Sequence, residues 1–424
     1  MSLLKLDITV TAQLKQWFAT ASLRFLTAGL LTSLMYLPPA SVYAAPFTPA
    51  SDDEVLISLP KTASIDVASR SLASATLSDA ERISRAQKLL AIAYDSANED
   101  AFGQAEALLS PWVNEEKATQ IPIDVYVMLA VIRQHNHEFS KALELLNFVL
   151  TAEPANYAAL MQRVQINLVL GDYAAVRLDC QSLIPIVSSA IAANCVAQVA
   201  SVTGQARPVY IQLKNLGSYQ AYFSPAEYLE LMLTLATVTH RLGLIDETES
   251  YYELVLAQDE DNMYAVLQYT DFLLEQRRFG EVLTLLEQLP AQVMTLELQV
   301  KHLEALGESG QPAAYAAQHR ELEDVFAVAK TRAENFPNKE YARFLLQTPQ
   351  HASEAVKAAL ANWQYQKEPG DLLLLVRAAV AADSVSEITL AKDWIATTGL
   401  EDQRISALLE ARDVGTSNIA EGEN

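Results

Sequence analysis

Few residues in this chain are grouped so that they could do chemistry, and the nearest to a metal site is His135-Asn136-His137-Glu138. Two imidazoles and a carboxylate are ligands that zinc accepts, but a tight site needs further ligands in fixed geometry. No further ligand is visible nearby, and the run falls in a polar turn between two predicted helices. We therefore interpret it as a solvated loop and predict that the chain binds no metal and no other cofactor.

Sequence motifs of hydrolases and nucleotide-binding proteins are also missing. Neither a G-x-S-x-G elbow nor a phosphate-binding loop occurs, and the run His319–Glu323 has the wrong order for a zinc protease motif. The run Asp259–Asp261 lacks the alternating ligands and the distal glutamate of a calcium loop. Carboxylates are so frequent that no single pair is informative, so the sequence predicts no catalytic residue and no enzymatic activity.

The amino-acid composition excludes several classes of fold and function. Apolar residues make up 51% of the 424 residues and charged residues 19%, enough to bury a core. The 13 glycines are too few for a turn-rich all-β fold. A formal net charge of −22, with no basic stripe, argues against binding to nucleic acid or to anionic lipid.

The first 44 residues have the features of a secretory signal peptide. A basic leader precedes the uncharged run Phe25–Leu37, whose 13 residues are fewer than the ~20 that span a bilayer. Pro38-Pro39 follows, and small or permitted side chains at Val42 and Ala44 favour cleavage after Ala44. The sequence thus predicts an exported, periplasmic protein whose mature chain is not inserted in the membrane. The leader is long, so an uncleaved anchor stays open as an alternative.

The remainder divides into three parts. Residues 45–77 are rich in Ser, Ala, Thr and Asp and are predicted to be a linker or N-terminal arm. The capping-box pattern Ser78–Glu81 begins a helical region that is predicted to run over 78–412. The polar segment 413–424 is predicted to be a disordered tail.

A sequence repeat runs through the helical region, with a period equal to the spacing from Phe139 to Tyr173. Both of these aromatic residues follow an acidic turn residue. Ile245 and Phe279 are separated by the same spacing. The clearest units are 123–156, 157–190, 229–262 and 263–296, each an apolar-striped helix, a polar turn and a second helix.

These units resemble the tetratricopeptide repeat, a helix-turn-helix motif that has the same period. The turn Gly171-Asp172-Tyr173 matches that pattern closely, whereas Arg163 stands where the family places a large apolar residue. The resemblance implies an all-α fold, a right-handed α-solenoid of stacked hairpins with a concave groove lined by first helices. It also implies a role in protein–protein contacts.

Three functions are compatible with these features. The first is an exported scaffold that holds a peptide or protein partner in the groove. The second is a structural subunit of an envelope assembly, such as polysaccharide-export, pilus or secretion machinery, that uses its outer face. The third is an enzyme with a scattered site, against which the missing motifs argue.

The resemblance places the partner groove between the third and fourth clear units. The groove residues are predicted to be Leu233, Thr237, His240, Arg241, Tyr264, Leu267 and Asp271. Because no cationic clamp occurs at the groove positions of the clear units, the groove is expected to be apolar to acidic. An uncharged peptide segment would then lie across Tyr264, Leu267 and Leu233.

The two cysteines, Cys180 and Cys195, are predicted to form a disulfide. They lie at similar distances on either side of a turn near residues 187–188, so two antiparallel helices bring them to the same height. An exported protein meets an oxidising compartment, which favours the bridge. Two buried, reduced thiols remain the alternative.

Overall fold

The computed structural model describes residues 77–96, 99–113, 121–332 and 336–422. The predicted signal peptide (1–44) and all of the predicted linker but its last residue lie outside these ranges. Within them the regular structure is helical, without a strand. No helix among these residues is long and apolar enough to span a bilayer.

The helices of the described ranges form successive hairpins and a final helix. The first ten helices are α1 Asp79–Ser96, α2 Glu99–Val113, α3 Ile123–His135, α4 Phe139–Ala152, α5 Tyr157–Leu170, α6 Tyr173–Leu183, α7 Ser189–Ser201, α8 Ala206–Gly217, α9 Pro225–Arg241 and α10 Ile245–Gln258. The rest are α11 Met263–Glu275, α12 Phe279–Glu287, α13 Leu296–Glu308, α14 Pro312–Arg332, α15 Asn338–Leu345, α16 Ala352–Trp363, α17 Pro369–Ala381, α18 Val385–Thr398 and α19 Gln403–Gly422.

Side-chain caps fix where the repeat helices begin. Asn156 accepts a hydrogen bond from Ala159 N at 3.0 Å, and Asn262 accepts one from Ala265 N at the same distance. Each oxygen satisfies an amide that has no partner inside the helix. The helices of the units at 157 and 263 begin after these caps, and α3 begins at Ile123 after Pro122 without a side-chain cap.

The unit predicted to start at Leu229 differs, because α9 already begins at Pro225. Ser224 and Glu227 form a capping box there: Glu227 N donates to Ser224 Oγ, and Ser224 N donates to Glu227 Oε2. Pro225 at the first helical position adds a suitable fixed φ. This local signal starts the helix one turn before the repeat spacing places it.

Most helices pack against the next one in the chain, and most odd-numbered helices also contact the next odd-numbered helix. One hairpin cannot bury its own apolar stripe, so stacked neighbours bury it together. The odd-numbered helices thus form an inner layer and the even-numbered helices an outer one. The molecule is an all-α helical-repeat solenoid.

The solenoid closes on itself. Its largest apolar cluster joins residues from 130–202 with residues from 300–409. At the closure, Lys367 N donates to Val169 O at 2.6 Å, and Ala206 N donates to the carboxylate of Glu401 at 2.9 Å. The turns of the C-terminal hairpins therefore dock on the turns before α6 and α8, and the inner layer becomes a ring.

The last helix differs from expectation. The structure continues α19 to Gly422, within the segment 413–424 for which the sequence predicts a disordered tail. Ion pairs hold the beginning of that segment: Lys392 to Asp413 at 2.9 Å and Arg412 to Asp383 at 2.8 Å. Both tie α19 to α18 and the turn before it, and so favour continuation of the helix.

Candidate functional site

The inner layer lines a cavity of about 800 Å³. Its wall comes from α5, α7, α9, α11, α13, α15, α17 and α19, together with Tyr173 of α6 and the turns before α11 and α17. Residues far apart in the chain therefore face one another across it, such as Gln165 on α5 and Arg404 on α19.

Six of the seven predicted groove residues line this cavity: Leu233, Thr237, His240, Arg241, Tyr264 and Asp271. Leu267, the seventh, is not among the residues that line it. The lining stripe of α11 runs through Tyr264, Gln268 and Asp271, so Gln268 takes the expected place. Leu267 instead packs against an apolar cluster, and its carbonyl accepts a hydrogen bond from Lys301 Nζ at 3.0 Å.

The cavity contains further cations besides Arg241, which is one of the predicted groove residues. Arg343 on α15, Arg377 on α17 and Arg404 on α19 line the cavity together with Lys339. They come from the C-terminal hairpins, whose repeat spacing is weak and whose groove positions could not be assigned. Closure of the ring brings these helices opposite the clear repeat units.

One group of ion pairs centres on Asp271. Its carboxylate lies 2.9 Å from Lys301 Nζ and 2.6 Å from Arg343, and Arg343 also lies 2.9 Å from Glu304. Lys301 is fully buried and also contacts Glu297 at 2.9 Å. Burial alone would raise the pKa of Asp271, but Arg343 and Lys301 outweigh it and hold the pKa well below its usual range. Asp271 therefore stays ionised.

A second group centres on Glu275. His240 Nε2 lies 2.7 Å from one carboxylate oxygen, and Arg377 and Arg404 lie 3.2 and 3.4 Å from the other. Arg404 also contacts Asp402 at 2.6 Å. Burial opposes ionisation of Glu275, yet the hydrogen bond from His240 and the charge of Arg404 lower its pKa. These contacts join α9, α11, α17 and α19 across the ring.

Arg241 is a buried cation on the cavity wall. It is 7% exposed, and its Nη2 donates a hydrogen bond to Ser201 Oγ at 2.7 Å. Its Nε has no partner, and among the described residues no carboxylate lies within 4.0 Å of the guanidinium. Burial lowers the pKa of Arg241, with the charge of Asp402 opposing this effect. A guanidinium in such a position is suited to an anion, to which it can donate several hydrogen bonds.

Four further carboxyl-bearing residues of the cavity lining are here called the acidic wall. It consists of Glu230, Glu340, Glu368 and Asp371. Asp371 accepts hydrogen bonds from Asn362 and from Glu368 N, at 2.9 and 3.1 Å. The other three have no cation within 4.0 Å among the residues described.

The acidic wall resists ionisation. Burial raises the pKa of Glu230 and of Glu340, and for Glu340 the charge of Glu297 adds to the effect. Burial, followed by the charge of Asp371, raises the pKa of Glu368 to about 7. The lysine that faces them, Lys339, lies 3.5 Å from Glu297. One lysine thus faces several carboxyl groups, which keep part of their protons near neutral pH.

Tyr264 is positioned between these charges. Its side chain is 53% exposed, but the exposed face looks into the cavity rather than outward. Burial within the ring, together with the charge of Glu368, raises the pKa of Tyr264 to about 12. The phenol therefore stays protonated and offers both a hydrogen-bond donor and an aromatic face.

The two histidines near the α3–α4 turn contact other side chains. His135 stacks on Phe102 with ring centroids 3.7 Å apart, and His137 Nδ1 lies 3.1 Å from Gln366 Nε2. Over the described parts of the chain, no group of three His, Cys, Asp or Glu residues could hold a metal ion.

The cysteines lie outside the cavity wall. Cys180 on α6 and Cys195 on α7 are joined in a disulfide, with Cα atoms 5.6 Å apart. That separation lies within the range of roughly 4.4–6.8 Å that a bridge requires. The bond fastens the end of one hairpin to the start of the next, next to the inner layer.

Comparisons with known proteins add little to this description. No protein-family model matches the chain, and no curated protein is similar to it. Among solved structures, a tetratricopeptide repeat protein from Parabacteroides merdae is similar over 70% of this chain and 99% of its own, with 13% identity and a TM-score of 0.32. The tetratricopeptide repeat domain of P58(IPK) is similar over 80% of this chain and 98% of its own, with 17% identity and a TM-score of 0.23. Scores this low carry no argument about function.

Proposed function

We propose that this chain is a non-enzymatic, exported binding protein that holds a peptide or protein segment inside its ring of helices. The observation that carries the proposal is the cavity, whose volume of about 800 Å³ lies in the range typical of ligand sites. Its lining carries both acidic and basic side chains, which are suited to orienting a bound segment.

The hydrogen bonds of the cavity support binding rather than catalysis. His240 is engaged through Nε2 with Glu275, and Thr237 donates to the carbonyl of Thr234 in its own helix at 3.0 Å. Ser201 accepts from Arg241. The hydroxyls on this wall are thus not paired with a base that could activate them.

Selection from a random peptide display library tests the proposal. We expect the protein to enrich peptides that bind in solution, and we expect Thr237→Phe to abolish that binding by filling the cavity. Leu178→Ala is the matched control, because Leu178 is 66% exposed on the outer helix α6. Failure to enrich any peptide, or binding that survives Thr237→Phe, would exclude the cavity as a peptide site.

The outer face supports a second candidate, a structural subunit of an envelope assembly. Phe148, Leu178 and Ile211 on α4, α6 and α8 are 52%, 66% and 52% exposed, although they are large and apolar. Exposed apolar side chains on neighbouring elements are typical of protein contacts. If assembly with a partner is lost in Leu178→Glu or Ile211→Glu but not in Thr237→Phe, this second function is favoured.

A further inference from the structure

The cavity has more carboxylates than cations. Nine Asp and Glu residues line it, against five Lys and Arg residues. The arginines are mostly neutralised within the protein: Arg343 by Asp271 and Glu304, and Arg377 and Arg404 through Glu275. The carboxyl groups without a cation within 4.0 Å in the described structure are the acidic wall together with Asp259 and Asp261 of the turn before α11.

Arg241 is the opposite case, a cation whose Nε has no partner and whose guanidinium has no carboxylate within reach in the described structure. Burying an unpaired charge is costly unless something compensates it. The cavity therefore presents several carboxyl groups with no cation, and one guanidinium with no carboxylate, within 4.0 Å among the described residues. The charges of both Glu368 and Arg241 act on the hydroxyl of Tyr264.

We propose that the occupant of the cavity is a peptide segment of net positive charge, whose lysine or arginine side chains contact the acidic wall and which presents one carboxylate to Arg241. This inference rests on the proposed function and adds the chemistry of the ligand. A simple polyamine would leave Arg241 unpaired. An acidic peptide would meet the like charges of Glu230, Glu340 and Glu368.

Fluorescence anisotropy with four labelled hexapeptides tests the inference on the wild-type protein. The first peptide alternates lysine and alanine and has a free C-terminal carboxylate. The second is its C-terminal amide, the third replaces lysine by norleucine, and the fourth replaces lysine by glutamate. We expect the first to bind about tenfold or more tighter than the norleucine and glutamate peptides, with an affinity that falls as salt is added. We expect the amide to bind several-fold more weakly than the free acid.

Variants locate the two contacts. Glu230→Gln removes a wall charge from a residue that makes no ion pair in the described structure, and we expect it to weaken the lysine peptide several-fold. Glu253→Gln, on the exposed face of the outer helix α10, is the matched control and should leave the affinity unchanged. Arg241→Gln should make the free acid and the amide bind alike. Circular dichroism of each variant reports whether the helices are intact.

The outcomes separate this inference from the proposed function. One outcome is that the lysine and norleucine peptides bind with equal affinity and that Thr237→Phe abolishes the binding of both. The cavity would then still be a peptide site, but its preference for positive charge would be refuted. Preference for the glutamate peptide would overturn it as well. Equal binding of acid and amide to the wild-type protein would refute the role of Arg241 without relying on a variant. Absence of binding by all four peptides, and by every library peptide, would refute both proposals.

Discussion

Gly204 and Gly399 meet backbone to backbone where the ring closes: a Cβ added to Gly399 would lie 3.2 Å from the Cα of Gly204. Both glycines have a positive φ, 77° and 75°, a region that costs other residues about 1–2 kcal/mol. They belong to the turns before α8 and α19. Because neither glycine has a side chain, the two turns can approach closely. The C-terminal hairpins can therefore dock on the hairpins in the middle of the chain.

Gly399→Ala is therefore expected to destabilise the protein for two reasons: the positive φ strains the backbone of alanine, and the added Cβ crowds Gly204. Gly310→Ala is the matched control, because Gly310 has φ of 72° and no atom within 4 Å of its added Cβ. In urea unfolding we expect Gly399→Ala to lose about 1 kcal/mol more than Gly310→Ala. Small-angle scattering should show a larger radius of gyration in Gly399→Ala alone. Equal losses would mean that the close approach does not contribute to stability.

Lys301 is expected to be the ionic residue whose loss costs most stability. It is 0% exposed and lies 2.9 Å from both Asp271 and Glu297. Lys301→Met would leave these carboxylates without their buried partner, a change that costs about 3–5 kcal/mol. Lys141→Met, which removes an exposed pair with Glu138, should cost about 0–1 kcal/mol. Chemical denaturation measures both, and similar losses would contradict this account.

The disulfide makes a prediction about thiols. In denaturant, wild-type protein purified from an oxidising compartment should show no titratable thiol until a reductant is added. Reduction, or Cys180→Ser together with Cys195→Ser, should lower the free energy of unfolding by about 3 kcal/mol, as for a loop of this length. The same number of thiols before and after reduction would show that the cysteines are not bridged.

The sequence was informative where physical signals are local. Asn156 and Asn262 cap helices at the positions that the repeat spacing gives, so the hairpins of α5 and α11 could be placed from residues alone. The resemblance to the repeat family gave the groove positions of α9, and His240 and Arg241 of that helix line the cavity. Leu267 does not line the cavity, because neighbouring positions on a helix point in different directions and the lining position is Gln268.

The C-terminal half of the cavity could not be predicted in the same way. Arg343, Arg377 and Arg404 lie in hairpins without a clear repeat spacing, so no groove position could be assigned to them. Glu275, the partner of Arg377 and Arg404, is 129 residues before Arg404, and no local pattern encodes a pair at that distance. The missed signal was the repeated placement of ionisable residues on α15 and α17, from Lys339 onward.

Processing of the N-terminus can be tested although it lies outside the described residues. We expect expression in a bacterium with a general secretion pathway to yield periplasmic protein whose first residue is Ala45. Edman sequencing or intact mass measures this directly. A chain that retains Met1 in the membrane fraction would show that the apolar segment 25–37 is an anchor, whereas a Met1 chain in the cytosol would contradict export itself.

The acidic wall predicts opposite pH dependences for stability and for binding. Burial, and then the charge of Asp371, raises the pKa of Glu368 to about 7, while Lys339 opposes the shift. A raised pKa in the folded state means that stability is fully present below the ordinary carboxyl pKa and is lost as pH rises through the raised value. Lowering the pH from about 8 to about 5.5 should therefore increase the free energy of unfolding, with a smaller slope in Glu368→Gln.

The same protonation removes charge from the acidic wall, so affinity for the lysine peptide should fall over that interval, again less steeply in Glu368→Gln. Parallel changes in stability and affinity, or identical slopes in the variant, would contradict the assignment of Glu368 to a cation-binding wall.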